Sequence, residues 1–148
     1  MDRFIGNIDA KADAKGRVFV PAAFRKILQA AGNTQLILRK DIYQECLVLY
    51  PADAWNTELD LLRSRLNKYD EEQQQTFRQF VWESETLDMD ANGRILIPKR
   101  YLQAAHIGAE IRFIGMNDTI EIWNRSNAEK PLMDAGTFRT NIRKFLIS

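Results

Sequence analysis

Two arginines occupy the same short motif, and their spacing from an aspartate offers two kinds of chemistry. Arg17 follows Asp13 by four residues, and Arg94 follows Asp90 by four residues. An arginine side chain can bond O6 and N7 of a guanine, whereas two carboxylates can form the acid and base pair of an enzyme. A third interpretation is that each Asp and Arg form a local ion pair on an ordinary turn.

The motif is part of a nine-residue repeat. Segments 13–21 and 90–98 read DAKGRVFVP and DANGRILIP, with a constant offset (90 − 13 = 98 − 21 = 77). Asp first and Gly fourth are typical of a type I turn that ends in a left-handed glycine, which is the tip of a β-hairpin. We therefore interpret Asp13, Gly16, Asp90 and Gly93 as turn-forming residues. Turn formation explains both aspartates without catalysis.

Positive charge is concentrated on the two copies of the repeat, although the whole chain has a net charge of only +1. Segment 11–26 contains five basic residues and one acidic residue, and segment 90–100 contains three and one. A two-stranded ribbon fits the major groove of DNA, so we predict that Arg17 and Arg94 contact bases. The predicted phosphate contacts, which position a protein without reading sequence, are Arg3, Lys11, Lys15, Arg25 and Lys99.

Few other residues could support catalysis. The chain has one histidine, His106, and one cysteine, Cys46, which adjoins an apolar run and is interpreted as a buried structural thiol. The sequence contains no glycine-rich phosphate loop, zinc-ligand spacing or nucleophile elbow. We therefore predict that the protein is not an enzyme and needs no metal or cofactor. The single cysteine, the lack of a signal-peptide pattern and the lack of a long apolar run favour a cytoplasmic protein without a membrane partner.

The elements that must position the arginines recur in the order β-β-α-β-β. We predict an α+β, mainly β fold with two such tandem repeats joined by a helical hairpin. The predicted boundaries are 5–54 for repeat 1, 55–83 for the helical linker, 84–127 for repeat 2 and 128–148 for a tail. A repeat of this size buries little alone, so the two should pair about a pseudo-twofold axis. Apolar faces left on the linker helices and the tail favour homo-oligomerisation.

The chain resembles the MraZ family of bacterial transcriptional regulators over residues 4 to about 125. In the first half the resemblance rests on Phe4-x-Gly6, Asp13-Ala-Lys-Gly16-Arg17-Val-x-Val-Pro21-x-x-Phe24-Arg25 and Leu47-x-Leu49-Tyr50-Pro51-x-x-x-Trp55. In the second half it rests on Asp90-Ala-Asn-Gly93-Arg94-Ile-Leu-Ile-Pro98 and Glu121-Ile122-Trp123.

This resemblance implies more than the spacing does. Each repeat would be an AbrB/SpoVT-like swapped hairpin, and the two would interlock into one barrel-like body. The protein would bind direct repeats of double-stranded DNA in its own promoter, upstream of the division and cell-wall gene cluster. It would act mainly as a repressor, associate with the nucleoid and form ring-shaped homo-oligomers. A protein-interaction or antitoxin-like module of the same fold is the alternative.

Two departures from the family pattern concern the second repeat. Asn92 stands where the first repeat has Lys15, so we expect the second tip to hold phosphate less well. The counterpart of Arg25 is expected near Gln103 or as Arg100.

Overall fold

The structure is a computed structural model that describes residues 3–147. Its strands are β1 (Asn7–Lys11), β2 (Arg17–Phe19), β3 (Gln35–Lys40), β4 (Cys46–Pro51), β5 (Ser84–Asp88), β6 (Arg94–Leu96), β7 (Glu110–Met116) and β8 (Thr119–Asn124). Its helices are α1 (Ala22–Ala30), α2 (Ala52–Arg65), α3 (Glu71–Trp82), α4 (Lys99–Ala104), α5 (Arg125–Ala128) and α6 (Ala135–Ile147). The first two residues, and Ser148 at the end of the expected tail, lie outside the described residues.

The two halves of the chain share one antiparallel sheet by exchanging strands. The sheet has the order β1-β7-β8-β4-β3-β5. Strand β1 of the first half pairs with β7 of the second, and β5 of the second half pairs with β3 of the first. The pairing of β4 with β8 joins the halves at the centre. Neither half could complete this sheet alone, which agrees with the expected pairing about a pseudo-twofold axis.

The expected α+β class is confirmed, but the expected barrel is wrong. The six-stranded sheet is open, with β1 and β5 as its edges. Strands β2 and β6 do not join it and form a separate two-stranded ribbon with each other. Each hairpin tip is present, but the strands on its two sides diverge, because each finds its partner in the other half of the chain.

The ribbon is anchored to the core by its inward face. Val18 and Ile95 lie opposite each other and are almost completely buried. Val20 and Ile97 follow them and are fully buried, which agrees with the alternation of side chains along a strand. Each large apolar side chain buried in this way contributes about 1.5–3 kcal/mol. The inward face therefore fixes which side chains of the ribbon point to solvent.

The helical hairpin expected between the repeats is α2 and α3. Asp70 caps α3, since its carboxylate accepts a hydrogen bond of 2.9 Å from the Gln73 N–H. The Gln73 side chain does not complete a capping box with Asp70, because its oxygen accepts a hydrogen bond from the N–H of Asn67 instead. Trp55 of α2 stacks on Phe80 of α3, with 5.4 Å between the ring centroids. This contact joins the two helices, and the edge-to-face contact of Trp55 with Tyr50 of β4 holds them against the sheet.

The C-terminal ends of α1 and α4 are formed differently. Helix α1 is followed by Gly32 with φ of +71°, as expected for a glycine after a helix. In the second repeat α4 ends at Ala104, and His106, two residues before Gly108, takes the left-handed conformation with φ of +53°. The imidazole Nδ1 of His106 lies 3.0 Å from a carboxylate oxygen of Glu45.

The tail forms a well-defined helix that buries almost nothing. Asp134 caps α6 by accepting hydrogen bonds from the N–H and the hydroxyl of Thr137 at 2.8 and 2.7 Å. Every residue of α6 is exposed except Asn141, which is half-buried. Large apolar side chains that consequently face solvent are Phe138, Ile142, Phe145, Leu146 and Ile147.

Candidate nucleic-acid interface

The two turns of the repeat have the same hydrogen bonds. Asp13 Oδ1 accepts from the N–H groups of Lys15 and Arg17, both at 2.9 Å. Asp90 Oδ1 accepts from the N–H groups of Asn92 and Arg94 at 3.0 and 2.9 Å. Gly16 and Gly93 have φ of +90° and +85°. The predicted turn chemistry is thus present in both copies, with a left-handed glycine in fourth place.

Each aspartate also fixes the arginine that follows its turn. Arg17 Nε lies 2.6 Å from Asp13 Oδ2, and Arg94 Nε lies 3.0 Å from Asp90 Oδ2. Among the hydrogen bonds of residues 3–147, neither arginine uses its terminal nitrogens. The geometry therefore orients each guanidinium through Nε and leaves the NH1 and NH2 edge for a ligand. That edge can donate two parallel hydrogen bonds.

The ribbon brings the two arginines together on one surface. Arg17 pairs with Leu96, and Phe19 pairs with Arg94. Arg17 and Arg94 are consequently diagonal neighbours on adjacent strands, about 7–8 Å apart. Val20 N–H donates to Gly93 O and Ile97 N–H donates to Gly16 O, both at 2.9 Å, which ties each turn to the other strand. We call Arg17, Phe19, Arg94 and Leu96 the ribbon face.

Arg25 joins this surface from helix α1. A Cβ added at Gly93 would overlap Arg25 Cδ, so the Arg25 side chain lies directly against the second turn. Its NH1 donates to Val20 O at 3.4 Å. A Cβ at Gly16 would approach Leu102 Cδ1 at 3.7 Å. Leu102 is the counterpart of Arg25 (25 + 77 = 102); it is adjacent to Gln103, near which this counterpart was expected, and it carries no charge. Each turn still has one extra cation, Lys15 on the first and Arg25 beside the second.

The other predicted phosphate contacts lie at different places. Lys11 is on β1, two residues before the first turn, and its Nζ is 3.5 Å from a carboxylate oxygen of Glu110. Lys99 is the exposed first residue of α4. Arg3 precedes Phe4, which pairs with Asn117 at the β7–β8 turn. Their contacts with phosphate stay predictions, as do those of Lys15 and Arg25.

The two aspartates are poorly suited to acid catalysis. The hydrogen bond from the Arg17 backbone N–H lowers the pKa of Asp13 below its ordinary value, and the guanidinium lowers it further. The backbone N–H and guanidinium of Arg94 lower the pKa of Asp90 in the same way. A general acid at neutral pH needs a raised pKa. The geometry therefore favours turn formation and arginine orientation over proton transfer.

A second group of polar side chains lies away from the ribbon. Ligand atoms of Asp41, Cys46 and Glu121 are within 4.8 Å of one another. Asp41 already accepts hydrogen bonds from two loop N–H groups, and Glu121 accepts one from the Trp123 indole. Cys46 is fully buried, as predicted, and burial raises the pKa of its thiol. Each of the three therefore has a structural role in the sheet or the adjoining loop.

The candidate interface also contains two residues that the predicted site omitted, Phe19 and Leu96. Both have more than half of their surface exposed beside the arginines. The alternation of side chains already put Phe19 on the same side as Arg17, so the signal was present in the sequence. The predicted site did not use this alternation, so it named neither Phe19 nor Leu96.

Fold and site together define a two-repeat α+β protein whose halves share one sheet and present a basic β-ribbon. The model of a family described as "MraZ protein, putative antitoxin-like" matches residues 4–78 and 80–133. The transcriptional regulator MraZ of Bacteroides fragilis is 55% identical over 146 residues, covering 99% of this chain and 92% of that protein. The protein of the same name from Bacteroides thetaiotaomicron is 55% identical, covering 99% and 94%. That from Beijerinckia indica is 32% identical, covering 100% and 90%.

The chain belongs to the MraZ family, which confirms the resemblance read from the repeated motif. Within residues 3–147, no helix is both long and apolar enough to span a bilayer.

Proposed function

We propose that the protein is a sequence-specific DNA-binding transcriptional regulator that reads bases with Arg17 and Arg94. The observation that supports this proposal best is the ribbon face, where two aspartate-oriented arginines lie side by side. A two-stranded ribbon has the width to enter a major groove, and the free edge of each guanidinium matches guanine O6 and N7. The relatives named transcriptional regulators agree with this function.

Contacts with the phosphate backbone of the DNA would supply the rest of the binding affinity. Lys15 lies on the first turn and Arg25 lies against the second, and Arg3, Lys11 and Lys99 would supply further phosphate contacts. Such contacts are sequence-independent and make binding sensitive to salt. In this arrangement the aspartates are positioning residues, because they hold each arginine in a defined direction before DNA arrives. Preorganisation of this kind lowers the entropy lost on binding.

The proposed biological setting is the one that the resemblance of the repeated motif implies. The protein would bind direct repeats in its own promoter, repress the division and cell-wall gene cluster, and associate with the nucleoid in the cytoplasm. The repeats would be AbrB-like swapped hairpins, with the domain boundaries given above. A ring-shaped homo-oligomer would engage several DNA repeats at once, so that weak single contacts add up to strong binding. The exposed apolar face of α6 supports self-association.

A gel-shift series tests the proposal. The full-length protein is titrated onto a duplex from upstream of its own gene and onto a scrambled duplex of equal composition. Simultaneous substitution of Arg17 and Arg94 by Ala should abolish the preference for the promoter duplex. The matched control replaces Arg65 and Arg78 on the helical hairpin by Ala, which removes the same charge. Equal promoter binding by the Arg17 and Arg94 variant and the wild type would refute the assignment.

The alternative function is a protein-interaction or antitoxin-like module, and α6 is the feature that favours it. A thirteen-residue helix with five exposed large apolar residues could hold a protein partner. Co-purification of a stoichiometric partner, together with no DNA retardation at low salt, would support this alternative over the regulator.

A further inference from the structure

Phe19 and Leu96 are large apolar side chains placed in the middle of a basic surface. Their exposed fractions are 56% and 53%. They are counterparts in the repeat (19 + 77 = 96), so the outward position after each arginine is apolar in both halves. Their neighbours along the strands, Val18 and Ile95, are buried. The inward face of the ribbon therefore supplies the side chains that pack in the core, and Phe19 and Leu96 are not part of it.

The two apolar residues alternate with the two arginines. Phe19 lies opposite Arg94, and Leu96 lies opposite Arg17, so each apolar side chain has an arginine directly across the ribbon. The Arg94 guanidinium carbon is 5.8 Å from the centroid of the Phe19 ring. Any ligand bonded by both arginines would come into contact with Phe19 and Leu96 as well. Such a ligand should then carry apolar groups close to hydrogen-bond acceptors.

The major groove of DNA offers this combination. Guanine presents O6 and N7 as acceptors, and thymine presents its C5 methyl group as the apolar element. Phosphate and sugar edges present no comparable methyl group. The alternation of arginine with an apolar side chain thus corresponds to neighbouring guanine and thymine bases.

Building on the proposed DNA binding, we propose that Phe19 and Leu96 form an apolar subsite for thymine methyl groups beside the bases read by Arg17 and Arg94. The two positions are not equivalent, because one carries an aromatic ring and the other a branched aliphatic side chain. The turns differ as well, with Lys15 in one and Asn92 in the other. The two ends of the ribbon therefore present different side chains to the bases.

Replacement of thymine by deoxyuridine tests the subsite directly, because it removes the methyl group and keeps the base pairing. The full-length protein is titrated onto a duplex from upstream of its own gene and onto duplexes in which single thymines are replaced. Wild-type affinity should fall about fourfold at the contacted thymines, the factor expected when one buried methyl group is lost. The affinity of Phe19→Ala should not change when deoxyuridine replaces thymine at the positions that Phe19 contacts. The affinity of Leu96→Ala should not change at the positions that Leu96 contacts.

The control variant is Leu61→Ala, because Leu61 on α2 is exposed to the same degree, 54%. It should keep the wild-type affinity and the wild-type response to every deoxyuridine. Thermal unfolding of each variant checks that the fold is intact. The subsite is refuted if wild type binds thymine and deoxyuridine duplexes equally. It is also refuted if Phe19→Ala and Leu96→Ala bind more weakly but respond to deoxyuridine as wild type does, since they would then only support the arginines.

These outcomes are separable from failure of the proposed function. If wild type does not distinguish its promoter from scrambled DNA, the regulator proposal fails, and the subsite fails with it. If promoter binding is specific but independent of thymine methyl groups, only the subsite fails.

Discussion

The side chain of Arg25, from helix α1 of the first half, lies directly against Gly93 in the turn of the second half. Its counterpart Leu102, from α4 of the second half, lies against Gly16 in the turn of the first. Each turn is therefore covered by the helix of the other repeat. Because only one of the two covering residues is charged, a fold with internal symmetry acquires two different ends.

The turns should be sensitive to any side chain at the glycine position. Gly16 and Gly32 both have positive φ, but a Cβ at Gly16 would overlap the backbone oxygen of Ile97, whereas a Cβ at Gly32 would meet nothing within 4 Å. Gly32→Ala should lower the free energy of unfolding by about 1 kcal/mol because of its backbone conformation. Gly16→Ala should lower it by clearly more, because a carbonyl cannot move aside easily. Urea unfolding measures both, and equal losses would contradict the packing described for Gly16.

Arg25 should act on DNA through its charge. We expect Arg25→Ala to weaken binding to the promoter duplex and to the scrambled duplex by the same factor. The slope of log K against log salt concentration should fall in magnitude by about 1, because one phosphate contact is lost. Gel shifts at several salt concentrations measure this slope. Arg65→Ala, which removes one charge from α2, is the matched control and should leave it unchanged. A loss of base preference in Arg25→Ala would instead indicate that Arg25 reads a base.

Arginine and lysine should not be interchangeable at the ribbon face. Arg17→Lys keeps the positive charge but cannot donate two parallel hydrogen bonds from a planar group. We therefore expect it to retain binding to scrambled DNA and to lose about 1–3 kcal/mol of discrimination for the promoter. Competition between promoter and scrambled duplexes measures this difference. Wild-type discrimination in Arg17→Lys would show that Arg17 contacts only phosphate.

Protonation of Asp13 and Asp90 should lower the stability of the fold at acidic pH. Hydrogen bonds from the backbone N–H and the guanidinium lower the pKa of Asp13 and of Asp90 below 3.8 in the folded state. A lowered pKa stabilises the fold above the unfolded value, about 3.9, and this contribution is lost as the pH falls through the folded value. The two groups should therefore add nothing to the pH dependence between pH 6 and 8. Below about pH 4 they should reduce stability progressively.

Asparagine at both positions separates this effect from other acidic groups. Asn can accept the same turn hydrogen bonds but cannot be protonated in this range. The variant with Asp13→Asn and Asp90→Asn should thus show a shallower loss of stability on acidification, measured as unfolding temperature against pH. If the unfolding temperature of the variant falls with pH as steeply as that of wild type, these aspartates are not the source of the acid sensitivity.

Helix α6 should support self-association. We expect wild type to have a molar mass above that of one chain and Ile142→Ser combined with Phe145→Ser to reduce it, because both side chains are exposed on a helix that buries almost nothing in its own chain. Light scattering after size-exclusion chromatography measures the mass. Leu61→Ser on α2, an equally exposed position, is the control and should leave the mass unchanged. A wild-type mass equal to that of one chain, or an α6 variant with the same mass as wild type, would contradict self-association through α6.

The hairpin tips were predictable because they are local. The carboxylate of Asp13 and the N–H of Gly16 bond within residues 13–17, and those of Asp90 and Gly93 bond within residues 90–94, so five residues of sequence contain the partners that shape each turn. The alternation after each turn was equally readable, since Val18 and Ile95 face the core as a strand pattern requires. The cap of α3 at Asp70 is local in the same sense.

The strand pairing was less predictable, because it depends on the whole chain. The residues of β1 have the pattern of a half-buried strand, but nothing within them specifies β7, about a hundred residues away, as their partner. The expected barrel was wrong for the same reason. Alternating burial defines a strand, whereas the closure of a sheet depends on which edges find partners.

The sequence by itself determined the repeat, the turns, the arginines that follow them and the family, because each depends on neighbouring residues or on the order of residues along the chain. Only the tertiary structure decided that β2 pairs with β6 across the two halves, which places Arg17, Arg94, Phe19 and Leu96 on one surface. It also decided that Arg25 covers the second turn and Leu102 the first. These relationships join residues 68 to 86 positions apart in the chain. They arise because neither repeat buries enough apolar surface alone and each completes its core with strands of the other.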